Sequence, residues 1–272
     1  MGEVVSTPRG EFFVEKRGPS QGVVPLIFVA GLGDDHSSWA APVDVLSQSF
    51  RCITFDNRGI GRSVVTPGPY STRCLAEDAE AVAVALGLDA VDAIGSSMGG
   101  AICQEWALAH PERVRRLVLS NTWAEQDPWF SALIGHWIDL AGRGSGHDVL
   151  YQLALFCFSP AYLREHPDTI QEFLTEDMPN PVGFRGAGEA CQGHDAIGRV
   201  GAITQPTLVI GASADILTRP ELSRNLAAAL PCADLVWLDA GHMIFWEKPR
   251  EWADAVGAFV DSPADVRSQR GG

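Results

Sequence analysis

The amino-acid sequence predicts an α/β protein built on a doubly wound, mostly parallel sheet with helices on both faces. Two observations predict this fold class. Short apolar runs, typical of strands buried on both sides, alternate with segments in which apolar residues recur every three or four positions, as on one face of a helix. The alternation stops over residues 123–195 and resumes afterwards, which indicates a helical insertion between two strands of one sheet.

Five strands and two helices are predicted before the insertion. The second strand is a nearly continuous apolar run, and the first helix carries Leu75, Ala79 and Val82 on one face before a glycine ends it. The predicted strands are Glu11–Glu15, Val23–Ala30, Arg51–Phe55, Ala90–Ile94 and Val114–Leu119, and the helices are Thr72–Leu86 and Met98–Ala109.

The same alternation returns after the insertion. Strands Thr207–Ile210 and Leu235–Leu238 alternate with helices Pro220–Leu230 and Pro249–Val260. The predicted core therefore comprises residues 1–122 and 196–262, followed by a flexible tail over 263–272. Ligands of open α/β sheets bind at the carboxyl edge of the strands, so we interpret the aromatic-rich insertion, 123–195, as a helical lid over that edge.

Charge and composition exclude several classes of protein. With 20 Lys and Arg against 34 Asp and Glu, the 272-residue chain has a formal charge of −14, which would repel a nucleic-acid backbone. No apolar run reaches the roughly 18 residues of a membrane span. The N-terminus lacks the features of a signal peptide. We therefore expect a cytoplasmic protein that binds neither nucleic acid nor membrane.

Cysteine spacing and loop motifs give no indication of a metal or cofactor. The six cysteines lack CxxC spacing, so we expect buried free thiols. The loop Asp56–Ser63 lacks the glycine spacing of a nucleotide-binding loop, and we interpret it as structural. The sequence does not predict the oligomeric state.

A candidate nucleophile follows the strand Ala90–Ile94. Gly95-Ser96-Ser97-Met98-Gly99 matches G-x-S-x-G between a strand and a helix, where small residues permit a tight turn that exposes the serine. A second match, Gly18–Gly22, contains a proline and precedes a strand instead of a helix. Its context indicates a loop, so Ser97 is the predicted nucleophile.

A serine nucleophile needs a base and an acid that orients the base. His242 follows the last predicted strand, and Asp215 follows the strand Thr207–Ile210, so both lie at carboxyl ends of strands in the expected chain order. Glu125 and Asp127, which follow the preceding core strand, are the alternative acids.

The tetrahedral intermediate of acyl transfer also needs two backbone N–H donors. The residue after the nucleophile, Met98, is the first candidate. The second comes from Gly31-Leu32-Gly33, after the strand Val23–Ala30, and we predict Leu32 as that donor.

Together these residues resemble the α/β-hydrolase superfamily over nearly the whole chain, about Phe12 to Val260. The resemblance implies an α/β-hydrolase fold with the lid inserted after the sixth core strand, a triad of Ser97, Asp215 and His242, and oxyanion donors at Leu32 and Met98. Asp56–Ser63, residues 66–71 and Gly95–Gly100 look most like 3-oxoadipate enol-lactonases and related esterases. One departure is Ala30-Gly31, where many members have His-Gly.

The insertion suggests which substrate is cleaved. It contains eleven acidic residues against three arginines, a formal charge of −8, which disfavours a dicarboxylate unless Arg143 or Arg185 points inward. We therefore predict a serine hydrolase acting on a small, fairly apolar ester or lactone. The tryptophans expected to contact it are Trp123, Trp129 and Trp137.

Two other functions remain open. The same triad can cleave a thioester or a C–C bond next to a ketone. A non-catalytic ligand-binding module on this fold is the alternative from a different functional class.

Overall fold

Eight strands form one sheet in the order β1-β2-β4-β3-β5-β6-β7-β8. The computed structural model describes residues 2–20, 24–175 and 180–262. The strands are β1 (Gly2–Thr7), β2 (Gly10–Arg17), β3 (Leu26–Val29), β4 (Cys52–Phe55), β5 (Val91–Ser96), β6 (Val114–Ser120), β7 (Thr207–Ala212) and β8 (Ala233–Leu238).

Strands β3 to β8 are parallel, whereas β1 and β2 add an antiparallel edge. The chain passes from β3 to β4 on one side of β3, and β5 then pairs with the other side of β3. This reversal of strand order separates the loops that follow β3 and β5, and such a crevice is where open α/β sheets bind ligands.

The helices of the core form two groups. Helices α2 and α3 pack together, and so do α1 and α11. The core helices are α1 (Ala40–Leu46), α2 (Thr72–Ala85), α3 (Met98–Ala109), α9 (Pro220–Ala229), α10 (Ile244–Glu247) and α11 (Pro249–Asp261). Their apolar faces cover strands that are themselves fully buried, such as β5 and β7, which explains the continuous apolar runs of the sequence.

In the described part of the insertion, five helices lie between β6, the sixth strand, and β7. They are α4 (Pro128–Gly142), α5 (Gly146–Cys157), α6 (Pro160–Glu165), α7 (Thr169–Phe173) and α8 (Pro181–Gly193). Asp127 caps the N-terminus of α4, because its carboxylate accepts the Phe130 N–H at 2.7 Å. A proline, Pro128, occupies the first turn of the helix. Helix α4 packs against α5 and α8.

Every predicted strand and helix is observed, but the prediction omitted the short helices α1 and α10 and the N-terminal strand. The prediction missed β1, which pairs only with β2 and is largely exposed, because an edge strand with little burial lacks a strong apolar pattern. Strand β3 is shorter than predicted, and Val23 lies outside the described residues. The predicted tail, 263–272, also lies outside them.

The cysteines only partly follow the prediction. All six are free, and Cys52, Cys103, Cys157 and Cys191 are buried. Cys232 is exposed and Cys74 half-buried, so the expectation of burial was wrong for these two. In the described part of the chain, no helix is both long enough and apolar enough to cross a bilayer.

Candidate active site

Ser97 occupies a strained turn between β5 and α3. Its φ of 53° and ψ of −121° are unusual for a residue with a side chain. The flanking glycines permit this turn: a Cβ on Gly95 would lie 2.3 Å from the Gly99 carbonyl oxygen, and one on Gly99 would lie 1.9 Å from that of Val29. The pattern of glycines in the sequence therefore reflects close backbone contacts.

Hydrogen bonds hold the Ser97 backbone on both sides. Its N–H donates to the Ser120 carbonyl at 2.9 Å, and its carbonyl accepts the Thr122 hydroxyl at 2.7 Å. The turn is thus fixed to the end of β6. The second G-x-S-x-G match follows β2, where Ser20 is exposed, and Gln21 and Gly22 lie outside the described residues.

His242 and Asp215 are in direct contact. His242 Nδ1 lies 2.8 Å from Asp215 Oδ2, and both side chains are almost fully buried. The other carboxylate oxygen, Oδ1, accepts the N–H groups of Leu217 at 2.8 Å and Thr218 at 3.0 Å. Donors from its own loop therefore fix the carboxylate toward Nδ1.

Two residues that the sequence reasoning missed complete this cluster. The Thr218 hydroxyl lies 2.8 Å from Asp215 Oδ2 and 3.1 Å from His242 Nδ1. Asn121, at the end of β6 with a φ of 47°, donates from Nδ2 to the His242 carbonyl oxygen at 2.6 Å. An asparagine directly after a strand was the available signal, because asparagine tolerates positive φ better than most residues.

The two alternative acids are engaged elsewhere. Asp127 accepts the α4 N–H described above and forms an ion pair with Arg219 at 2.5 Å. Glu125 accepts a hydrogen bond from Asn225 at 2.6 Å. Of the three carboxylates considered from the sequence, the structure therefore brings Asp215 to His242.

The loop after β3 lies opposite the Ser97 turn. Leu32 lines the same cavity as Ser97, and Met98 begins α3 directly after the serine. Within the described ranges, the N–H groups of Leu32 and Met98 have no protein acceptor.

A cavity of about 480 Å³ lies between these loops and the inserted helices. Ser97 and His242 line its floor, and the insertion supplies mostly apolar walls. Prominent apolar lining residues are Phe130, Ile134, Trp137, Leu150, Leu153 and Phe173. Asp34 and Asp35 bring carboxyl groups to the lining.

The lining differs from the sequence prediction in its tryptophans. Of the three tryptophans predicted to contact substrate, Trp137 lines the cavity, whereas Trp123 and Trp129 are not among its described lining residues. Trp123 is fully buried against Phe130, and Trp129 is 43% exposed beneath the Arg219 guanidinium. Helical spacing alone does not tell which face of an inserted helix turns inward.

No lysine or arginine lines the cavity among the described residues. Arg185 pairs with Glu189 on the exposed side of α8, and Arg143 is exposed at the end of α4. Neither of the two arginines considered from the sequence therefore lines the cavity.

The loop Asp56–Ser63 makes internal contacts, in line with the structural role predicted for it. Asp56 accepts the N–H groups of His36 and Arg62, both at 2.8 Å, and the His36 ring lies 2.7 Å from the same carboxylate. Asp35, His36 and Asp56 are close enough to hold one ion. The hydrogen bonds to Asp56, however, already account for the arrangement.

Known proteins share this fold and much of this sequence. The sequence profile of the alpha/beta hydrolase fold family matches residues 24–249. A protein of Agrobacterium fabrum named "Putative carbamate hydrolase RutD" is 32% identical over 92% of this chain and 98% of its own.

Solved structures show the same similarity. An enol-lactonase from Burkholderia xenovorans is 26% identical with a TM-score of 0.89, covering 96% of this chain and all of that one. A thermophilic esterase from Thermogutta terrifontis is 25% identical with a TM-score of 0.86, covering 96% of this chain and 98% of its own. Because the family profile spans most of the sequence, the chain belongs to the alpha/beta hydrolase fold family and is a hydrolase.

Proposed function

We propose that the protein is a serine hydrolase that cleaves a carboxylic ester or lactone of a small, fairly apolar substrate through an acyl-enzyme. One observation carries the proposal. His242 makes its ring hydrogen bonds through Nδ1, to Asp215 and Thr218, and lines the same cavity as the strained Ser97. Nε2 is thereby left to act as a base toward the serine.

The mechanism follows from this arrangement. Ser97 Oγ attacks the substrate carbonyl while His242 Nε2 takes the hydroxyl proton, and Asp215 stabilises the resulting imidazolium. The N–H groups of Leu32 and Met98 hold the oxyanion. His242 then donates the proton to the leaving oxygen, which breaks the ester bond. Water, deprotonated by His242, then attacks the acyl carbonyl, and His242 returns the proton to Ser97 Oγ as the bond between Ser97 and the acid breaks.

The cavity supports a neutral and largely apolar substrate. Its walls are aromatic and aliphatic, and no cation lines it within the described chain. A carboxylate placed there would lose its hydration without gaining a counter-charge. We infer that neutral esters and lactones are better substrates than dicarboxylate lactones.

We also propose that the insertion acts as a lid on a core formed by residues 1–122 and 196–262. Helices α4, α5 and α7 supply the apolar lining residues listed above, which face the loops at the carboxyl ends of β3 and β5. Such a cover would exclude water from the acyl-enzyme.

Carbamates are a second candidate class. The relative from Agrobacterium fabrum is named for carbamate hydrolysis, and a carbamate carbonyl would be attacked by the same serine. Thioesters and C–C bonds next to a ketone remain alternatives because they require the same triad.

The first test is covalent labelling with a fluorophosphonate, followed by intact-mass measurement. We expect one adduct on the wild-type protein and none on Ser97→Ala. Ser20→Ala is the matched control, because Ser20 lies in the second G-x-S-x-G match and is exposed, so its adduct should remain.

A panel of neutral esters, lactones, thioesters, carbamates and dicarboxylate lactones then identifies the bond cleaved. Neutral esters or lactones should give the highest kcat/KM. Wild-type protein that forms no adduct and turns over none of the panel would overturn the proposal in favour of a ligand-binding module. A dicarboxylate lactone as the best substrate would overturn the inference about charge.

A further inference from the structure

Asp34 is a carboxylate beside the proposed nucleophile that the mechanism does not use. It follows Gly31-Leu32-Gly33 and lines the cavity with Ser97 and His242. Asp34 Oδ2 lies 3.0 Å, and Ser97 Cβ 3.5 Å, from the point that a Cβ on Gly31 would occupy. The two side chains are therefore neighbours across the proposed oxyanion loop.

The surroundings of this carboxyl group are poor in donors. Burial raises the pKa of Asp34 to about 6, although His242 and a hydrogen bond with Ser38 act in the opposite direction. The negative charge of Asp35 raises the pKa further. The pKa of the Cys157 thiol is raised mainly by burial, and to a lesser degree by the negative charges of Asp215 and Asp34.

Asp215 shows what a carboxylate with a fixed structural partner looks like in this protein. It accepts two backbone N–H groups, a hydroxyl contact and the His242 ring. Among the described residues, Ser38 is the hydrogen-bond donor to Asp34, whose carboxyl group lines the cavity. A ligand group is then the natural source of the missing hydrogen bonds.

We propose that Asp34 determines substrate specificity: it favours acyl groups that carry a hydrogen-bond donor or a positive charge, and it rejects acyl groups that carry a carboxylate. The inference rests on the proposed hydrolase function and adds a substrate class to it. A carboxylate in the acyl chain would meet a like charge in a cavity that no described lysine or arginine lines, whereas an amide N–H or ammonium group would be bound.

Matched substrates can isolate this effect. We would use 4-nitrophenyl esters of three acids of nearly equal size: glutaric acid, ending in a carboxylate; glutaramic acid, ending in an amide; and 5-methylhexanoic acid, ending in a branched alkyl group. Hydrolysis without enzyme is subtracted. At pH 8 we expect kcat/KM for the amide ester to exceed that for the carboxylate ester by about 100-fold or more.

Asp34→Asn should reduce this ratio by at least about tenfold, mainly by raising kcat/KM for the carboxylate ester. Asp44→Asn is the matched control, because it removes one negative charge from an exposed site outside the cavity lining, where Asp44 pairs with Arg17. Its ratio should change by less than about twofold, since its charge is exposed and screened.

The pH dependence gives a second readout. As pH falls from 8 to 5.5, Asp34 becomes protonated while the glutarate carboxylate stays ionised, so the wild-type ratio should fall. Dividing the two kcat/KM values measured on one enzyme cancels the pH dependence that both substrates share. In Asp34→Asn the ratio should stay constant over this range. This profile still tests the proposal if the variant folds poorly.

Two outcomes would overturn the specificity role: an amide-to-carboxylate ratio that Asp34→Asn leaves unchanged, or a wild-type ratio that is constant with pH. Failure of the proposed hydrolase function looks different. It would appear as no turnover of any of the three esters and no fluorophosphonate adduct on Ser97.

Discussion

Two buried histidines, His242 and His194, show how the same side chain serves different ends in two regions of the molecule. His242 is 6% exposed, lines the cavity and makes its ring hydrogen bonds through Nδ1. His194 is 1% exposed and uses both nitrogens: Nδ1 lies 3.0 Å from Thr72 Oγ1, and Nε2 lies 3.3 Å from Gln104 Oε1.

The position of His194 explains its role. It follows α8 and joins the end of the insertion to α2 and α3 of the core. Gln104 donates from Nε2 to the Trp123 carbonyl at 2.9 Å, so its Oε1 accepts from His194 Nε2. Burial lowers the pKa of His194 to about 4, which keeps the ring neutral.

Burial and hydrogen bonding therefore do not by themselves indicate that a histidine takes part in a reaction. A histidine can act as a base when one nitrogen is held and the other faces a cavity. A histidine with both nitrogens engaged and no access to a ligand holds elements together.

Asp215→Asn should lower kcat by about 10⁴-fold. The introduced amide would donate a hydrogen bond to His242 Nδ1, so the ring proton would lie on Nε2. A protonated Nε2 cannot accept the proton of the Ser97 hydroxyl. Steady-state kinetics on a neutral ester would measure this. Asp127→Asn is the control, since Asp127 caps α4 and pairs with Arg219, and its kcat should change less than about threefold. A similar loss in both variants would contradict the assignment.

His194→Ala should act on stability instead of turnover. Loss of a buried ring and of its two hydrogen bonds should lower the free energy of unfolding by about 3 kcal/mol. Urea unfolding measures this change. The kcat of the folded variant should stay within about threefold of the wild type. A large loss of kcat at unchanged stability would place His194 in the same class as His242.

The stability contributed by neutral His194 should also depend on pH. Its pKa in the folded protein, about 4, is below the ordinary value of 6.5, so the unfolded chain binds a proton first as pH falls. The stability is therefore complete above pH 6.5 and is lost between pH 6.5 and 4. Between pH 7 and 5 the expected loss is about 2 kcal/mol.

His194→Gln isolates this loss, because it removes the titrating group while keeping a polar side chain. We expect the difference in unfolding free energy between the wild type and His194→Gln to shrink over the same pH range. A difference that stays constant would mean that His194 does not titrate differently on folding.

Asn121→Gly should have the smallest effect. Glycine keeps the positive φ but removes the donor to the His242 carbonyl, which fixes the loop of the proposed base. We expect kcat to fall about tenfold and the free energy of unfolding by about 1 kcal/mol. Asn121→Ala should be less stable than Asn121→Gly, because alanine is strained at this φ. Unchanged kcat in both variants would show that the loop holds its position without Asn121.

Much of the fold could be predicted from local pattern. Strand β5, helix α3 and the tight turn between them follow from an apolar run, a G-x-S-x-G match and a helical period, all within about twenty residues of sequence. The edge strand β1 could not be predicted in this way, because an exposed edge has no core face to impose a pattern.

The candidate site likewise has some features that local sequence predicts and others that it does not. Sequence alone placed Ser97, Asp215 and His242 at the carboxyl ends of strands, since strand ends and glycine turns are encoded locally. The tertiary structure alone decided that Asp215, and not Glu125 or Asp127, meets His242, that Trp137 faces the cavity, and that Asp34 lies beside Ser97. These contacts join residues that are far apart in the chain. They depend jointly on the order of strands in the sheet, the strand register and the rotation of each helix about its axis.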